Sequence, residues 1–228
     1  MSKIYPIELI PPYLSVLLAA VSVIFYIFKR TNLSNVRLIA LYSLFSIATD
    51  IFITPLLFHL TGNQFIGAKI FTLVEFHLIV FFVYQNLITK NRKKILISFI
   101  SLFAISFLYQ IIASNNNNFD SFATGVSSLL LLIISIYFLY SKVSNNQAAF
   151  NFDSITIIVC AFIIYFSGTF FIYIFSSNYI NSVKFKEIYN VINSIVLIIR
   201  NFLILLAFFR LNKYDLNSKE FNNKLRYI

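Results

Sequence analysis

Three formal charges fall inside stretches that otherwise read as hydrocarbon-soluble: Asp50 in "SLFSIATDIFITP", Glu75 in "FTLVEFHLIVFF" and Arg200 in "SIVLIIRNFLILLAFF". Charge is costly in a bilayer, so such residues turn to a bundle interior, a cavity or one another. A guanidinium keeps its proton in any protein setting, so Arg200 calls for a carboxylate. With both acids ionised the cluster carries one uncompensated negative charge. One acid is then protonated, or water reaches the cluster. The chemistry open to such a group is ion pairing, proton exchange, or recognition of a small polar ligand.

The surrounding polar residues form stripes. Ser43, Ser46, Asp50 and Thr54 share one helical face. Asn190, Asn193, Arg200 and Asn201 make a second stripe, with Leu197 in its gap, and Thr72 with Glu75 make a third, Asn86 lying further along. At a rise of about 1.5 Å per residue, Asp50 and Arg200 lie near mid-depth and Glu75 roughly 6 Å toward the outer face. The candidate site is therefore Ser46, Asp50, Glu75, His77, Asn193 and Arg200, with Asp50 favoured over Glu75 as the partner of Arg200. The plainer reading of the same residues is a polar pair that only sets helix packing and register.

Neither metal nor cofactor is expected. His77 stands two residues from Glu75 and points roughly 160° away around the helix. It reads as a cross-helix hydrogen bonder or a residue facing lipid or the next span. His59 would sit about 13 Å along the axis from Asp50, too far for ligands that must lie near about 2 Å from zinc. Cys160 is the one cysteine, which excludes an intrachain disulfide and a cysteine metal cluster. No nucleophile stands at a recognised spacing from an acid–base pair, so no catalytic residue is assigned and a non-enzymatic role is expected.

The elements that must position these residues are membrane spans. The chain has 228 residues, 59% hydrophobic and 11% charged, far below the roughly 25% charged of a soluble domain. The expected fold is an all-α integral membrane protein, a bundle of seven transmembrane helices near 9–28, 38–60, 70–88, 95–113, 123–141, 154–176 and 188–209. Each is about the length that crosses hydrocarbon. Span 1 is entered through Pro11 and Pro12, whose missing amides have no intrahelical partner in a first turn. Pro55 is expected to kink span 2 and free the carbonyl of Ile51. Connections such as "NRKK" are too short for a further domain, so residues 1–210 form one transmembrane domain and 211–228 a short basic tail.

Charge placement orients the bundle. Thirteen lysines and arginines follow spans 1, 3, 5 and 7, against four on the other side (Lys3, Lys69, Lys184 and Lys186). The positive-inside rule places the amino terminus outside and the carboxyl terminus in the cytoplasm. The expected location is a bacterial cytoplasmic membrane. The net charge of +10 is a consequence of topology rather than a nucleic-acid footprint. The partners expected are membrane lipids, a cytoplasmic or membrane protein, and a small-molecule ligand, with nucleic acid excluded.

Three roles fit these expectations. The first is a sensory or signalling membrane module with a polar intramembrane site. The topology is similar to that of rhodopsins, but no span carries the mid-depth lysine a retinal Schiff base needs. The second is a small-solute or proton-coupled permease, disfavoured because the chain lacks paired broken helices in two repeated halves. The third is a structural accessory subunit of a membrane complex.

Overall fold

The computed structural model describes residues 6–29, 34–63, 65–87, 91–113, 121–144, 153–179 and 183–211, with side chains for 13–29, 36–63, 66–87, 91–112, 122–144, 153–173 and 191–211. The basic tail beyond Leu211, the side chain of Asn190 and those of Pro11 and Pro12 lie outside these.

All regular structure among the described residues is helical. The helices are α1 (Pro6–Lys29), α2 (Ser34–Ala48), α3 (Thr54–Thr61), α4 (Phe65–Asn86), α5 (Arg92–Ala113), α6 (Ser121–Ser144), α7 (Ser154–Tyr179) and α8 (Val183–Arg210). A π turn at Thr49–Ile53 joins α2 directly to α3. These two helices and the turn make one rod, so the described residues form seven rods. Six are long and apolar enough to cross a membrane by length and composition. In α1 the apolar stretch is the shorter Tyr13–Lys29, and the helix starts at Pro6, a turn before the prolines expected to open it.

Helices dominate because hydrocarbon offers backbone groups no partner outside the chain. Hydroxyls inside the spans obey the same constraint by bonding back one turn: Ser22 to the Leu18 carbonyl at 2.8 Å, Thr72 to Ala68 at 3.0 Å, Ser135 to Leu131 at 2.7 Å and Thr169 to Tyr165 at 2.9 Å. Several serines that look polar in the sequence are therefore satisfied within their own helix.

Six of the rods close a ring. Going round, α1 packs on α2, α2 on α4, α4 on α6, α6 on α7, α7 on α8, and α8 back on α1. Helix α5 lies outside, against α4 and α6. Large side chains fill the middle: Tyr42, Phe76, Phe82, Phe162, Phe166, Phe208 and Arg200 are all under 2% exposed. Phe76 stacks on Phe103 of α5 at 4.0 Å, and Tyr42 meets Phe162 of α7 edge-on at 5.7 Å.

The basic end of the bundle has its own ties. Lys29 donates to the carbonyls of Phe209 and Leu211, closing the last turn of α8. Asp153 precedes α7 and accepts from the Thr156 amide at 2.9 Å and from Lys142 at 2.6 Å, joining α6 to α7. Burial pushes the Asp153 carboxyl up, but the bonds from Lys142 and Thr156 outweigh it and hold the group below its ordinary value.

Two tests follow from this packing. At Gly168 of α7, an added methyl would lie 2.7 Å from Val196 Cγ2 of α8. Gly168→Ala is expected to lower stability by about 1–3 kcal/mol, read as a lower midpoint of thermal unfolding in detergent. Because the folded pKa of Asp153 is depressed, its contribution is complete above the unfolded carboxylate value of about 3.9 and is lost as pH falls through the lower folded value. Acid unfolding monitored by circular dichroism should begin at higher pH than in the Asp153→Asn variant once each is referred to its own neutral-pH stability. Coincident acid profiles would remove the assigned role of Asp153.

Candidate functional site

The site is built around Arg200, which α8 carries into the centre of the ring at 1% exposure. An arginine this deep needs its charge balanced and its donors occupied. Its Nη1 donates to the Tyr42 hydroxyl at 2.5 Å. That hydroxyl donates in turn to Glu75 Oε1 at 2.7 Å. The direct Arg200–Glu75 separation is 3.9 Å, so the tyrosine oxygen bridges the ion pair. On the other edge of the guanidinium, Nε donates to Asn201 Oδ1 at 3.0 Å. The Asn201 amide then donates to the Ser15 carbonyl of α1 at 2.8 Å.

Aromatic rings cushion the charge. The guanidinium carbon lies 4.5 Å from the Tyr165 ring centre and 5.2 Å from that of Tyr42, well inside cation–π range. The Tyr165 hydroxyl also bonds to Glu75. One connected network thus joins α1, α2, α4, α7 and α8, five of the six helices in the ring. It is also closed: Tyr42 is fully buried, Glu75 is 5% exposed, and almost no water-sized space touches Arg200.

The candidate residues separate into two groups. Arg200 and Glu75 come together. Ser46 is buried one turn above Tyr42 on the same face of α2. Asn193 is half-buried two turns above Arg200 on its face of α8. Asp50, favoured above as the partner of Arg200, is exposed on the π turn. It acts on the Arg200 charge only at longer range, behind Tyr42, Tyr165 and Glu75. Depth matching put Asp50 level with Arg200, but depth does not say where the guanidinium turns. The two tyrosine rings hold it against Tyr42, and Glu75 is the acid that meets the tyrosine hydroxyl.

His77 is exposed and lies away from the network. Its Nδ1 is 2.7 Å from the Leu73 carbonyl, and its ring packs edge-on to Phe103 of α5 at 6.0 Å. His59 is exposed near the end of α3. Among the described residues no three His, Cys, Asp or Glu side chains stand close enough to share a metal ion. Residue type and spacing missed Tyr42 and Tyr165, which are the bridge and the cushion. The usable signal for Tyr42 was its position one turn before Ser46, on the polar stripe of span 2.

The fold defines the class: an all-helical integral membrane bundle with a buried arginine network. No protein family, curated protein or solved structure matches the chain.

A thermodynamic cycle tests the network. Arg200→Leu strands Glu75 and is expected to cost about 3–5 kcal/mol. Tyr42→Phe, which removes one acceptor and one donor, is expected to cost about 1–3 kcal/mol. Combining Arg200→Leu with Glu75→Gln should cost clearly less than the sum of the single changes, while Arg200→Leu with Asp50→Asn should lie near additivity. Equal coupling for the two acids would contradict the bridge through Tyr42.

Proposed function

We propose that the protein is a non-enzymatic membrane module of the sensory or signalling kind, in which the Arg200–Tyr42–Glu75 network is the latch that sets helix positions. The observation that carries this reading is closure. A guanidinium with 1% exposure presents no donor to a solute, so the network holds helices rather than substrate. A latch joining five helices also couples them: a change at any one strand of the network alters bonds made by the others.

In this reading all seven rods cross a cell membrane, with the amino terminus outside and the carboxyl terminus in the cytoplasm. The lysine and arginine excess supports that orientation, and the Lys29 and Lys142 contacts lie at the basic end. The module would act through a protein partner at that end. A passive accessory role is the neighbouring reading, and it differs in predicting that the latch never changes state.

Two measurements test the proposal. A cysteine at Lys69 should react with an impermeant reagent added outside intact cells, and one at Lys93 should not. The reverse pattern overturns the orientation. Spin labels on α2 and α8 should show a second distance population in Tyr42→Phe that is minor in the parent protein. A single unchanged distance would leave a static scaffold, and dissipation of a proton gradient by reconstituted parent protein would favour a permease instead.

A further inference from the structure

Helix α5 is held by one half of its length. Only 11% of its span is buried, against 33–50% of the other five. Its buried residues, Phe103, Ser106 and Gln110, all lie in the half remote from the basic end. There Phe103 stacks on Phe76 at 4.0 Å, and Gln110 Oε1 accepts from the Ala123 amide of α6 at 2.5 Å. From Arg92 to Leu102 no residue is buried, and Leu96, Phe99 and Ile100 meet the core only half-buried. At about 1.5 Å per residue, the stretch from Arg92 to Phe103 is roughly 17 Å long. That is close to half of a hydrocarbon core of about 30 Å, the depth of one leaflet.

This half of the helix begins in charge. Arg92, Lys93 and Lys94 stand together, half-buried or exposed. Among the described residues no ion pair reaches any of them, whereas Lys142 holds Asp153 and Lys29 holds the end of α8. Arg92 is placed by α4: its guanidinium carbon lies 5.4 Å from the Tyr84 ring centre, and Tyr84 stacks on Phe81 at 6.2 Å. Its N–H donors make no hydrogen bond among the described residues. Further into the span, Phe81 of α4 and Ile97 of α5 are 45% and 63% exposed. The face therefore has a cationic head and an apolar body.

We propose that this face, between α4 and the basic half of α5, binds an anionic phospholipid of the surrounding bilayer. The phosphate takes the donors of Arg92, Lys93 and Lys94, and an acyl chain lies along Phe81 and Ile97. A guanidinium fork matches phosphate oxygens, and basic pockets between spans at the cytoplasmic side suit acidic headgroups. A zwitterionic lipid carries its own cation beside the phosphate and leaves the three charges uncompensated. A second copy fits the face poorly. Two copies inserted alike and meeting through it would set three cations against three, and like charges oppose such a contact. The surface lies apart from Arg200, Tyr42 and Glu75, so the proposal stands or falls separately from the latch.

The test titrates the full chain, purified in a detergent with a neutral headgroup, with phosphatidylglycerol or phosphatidylcholine. Bound lipids are counted by native mass spectrometry. Phosphatidylglycerol should bind saturably and more tightly than phosphatidylcholine. Arg92→Gln, Lys93→Gln and Lys94→Gln should weaken it roughly five-fold for each charge removed. Removing three charges from the tail instead, by Lys213→Gln, Lys219→Gln and Lys224→Gln, should leave the binding unchanged. Equal binding of the two lipids would overturn the site. So would an equal loss in the tail variant, which would show only a general attraction to the basic end. Should the α5 variant fail to fold, the parent protein in nanodiscs is photolysed with each lipid carrying a diazirine in its acyl chain. Phosphatidylglycerol should label the peptides around Tyr84 and Ile97 in several-fold excess over phosphatidylcholine. Labelling that is the same for both lipids, or uniform over all the helices, would overturn the site.

Discussion

The cost of taking a guanidinium out of water organises this bundle. Arg200 cannot shed its charge, and the centre of the ring offers it almost no water. Its position is tolerable only where several partners converge, from its own helix and from its neighbours. Tyr42 accepts one donor and passes the interaction to Glu75. Asn201 takes another and fastens to the Ser15 carbonyl. Removing any of these would strand a polar group in low dielectric, so one side chain sets the mutual positions of five helices.

The apolar part of the core answers to that requirement. In a bilayer the lipid tails are as apolar as Leu or Phe, so hydrophobic burial alone does not choose which helices meet. Choice comes from close packing and from polar contacts. Gly168 lets α7 approach α8 at Val196, which brings Tyr165 to the face of Arg200. The stacked pair Phe76 and Phe103 holds α5 on the outside of the ring. Sealing by Tyr42, Phe162 and Phe166 keeps water from the ion pair and thereby strengthens it.

The α2 rod carries two opposite features in adjacent turns. Up to Ser46 its inward face is sealed and serves the arginine. The π turn at Thr49–Ile53 then interrupts it, and α3 beyond is a regular helix packed on α4 with none of its residues buried. A rigid interior beside an interrupted, mostly exposed segment suits the proposed module, in which the closed part stores register.

Much of the architecture was readable from residue type alone. Runs of Leu, Ile and Phe set the rods, since a bilayer imposes length and internal hydrogen bonding on any segment this apolar. Most rods extend a few residues past at least one expected end, because ends such as Arg92 and Ser144 lie where a helix continues into polar surroundings, whereas α4 stops at Asn86, short of its expected end at 88. That Arg200 must pair with an intramembrane acid also followed from its charge. Which acid did not. Asp50 matched in depth, but the choice rests on where the guanidinium turns, and two tyrosine rings from α2 and α7 decide that. Tyr42 and Tyr165 resemble the other tyrosines of the chain until the ring closes around them. The π turn was equally hidden: Pro55 announced a break, but not that the Thr54 amide would reach back five residues to the Thr49 carbonyl. Local composition determines that a segment spans and which charges need partners. Direction around and across the bundle is a property of several helices at once, and only their packing could decide it.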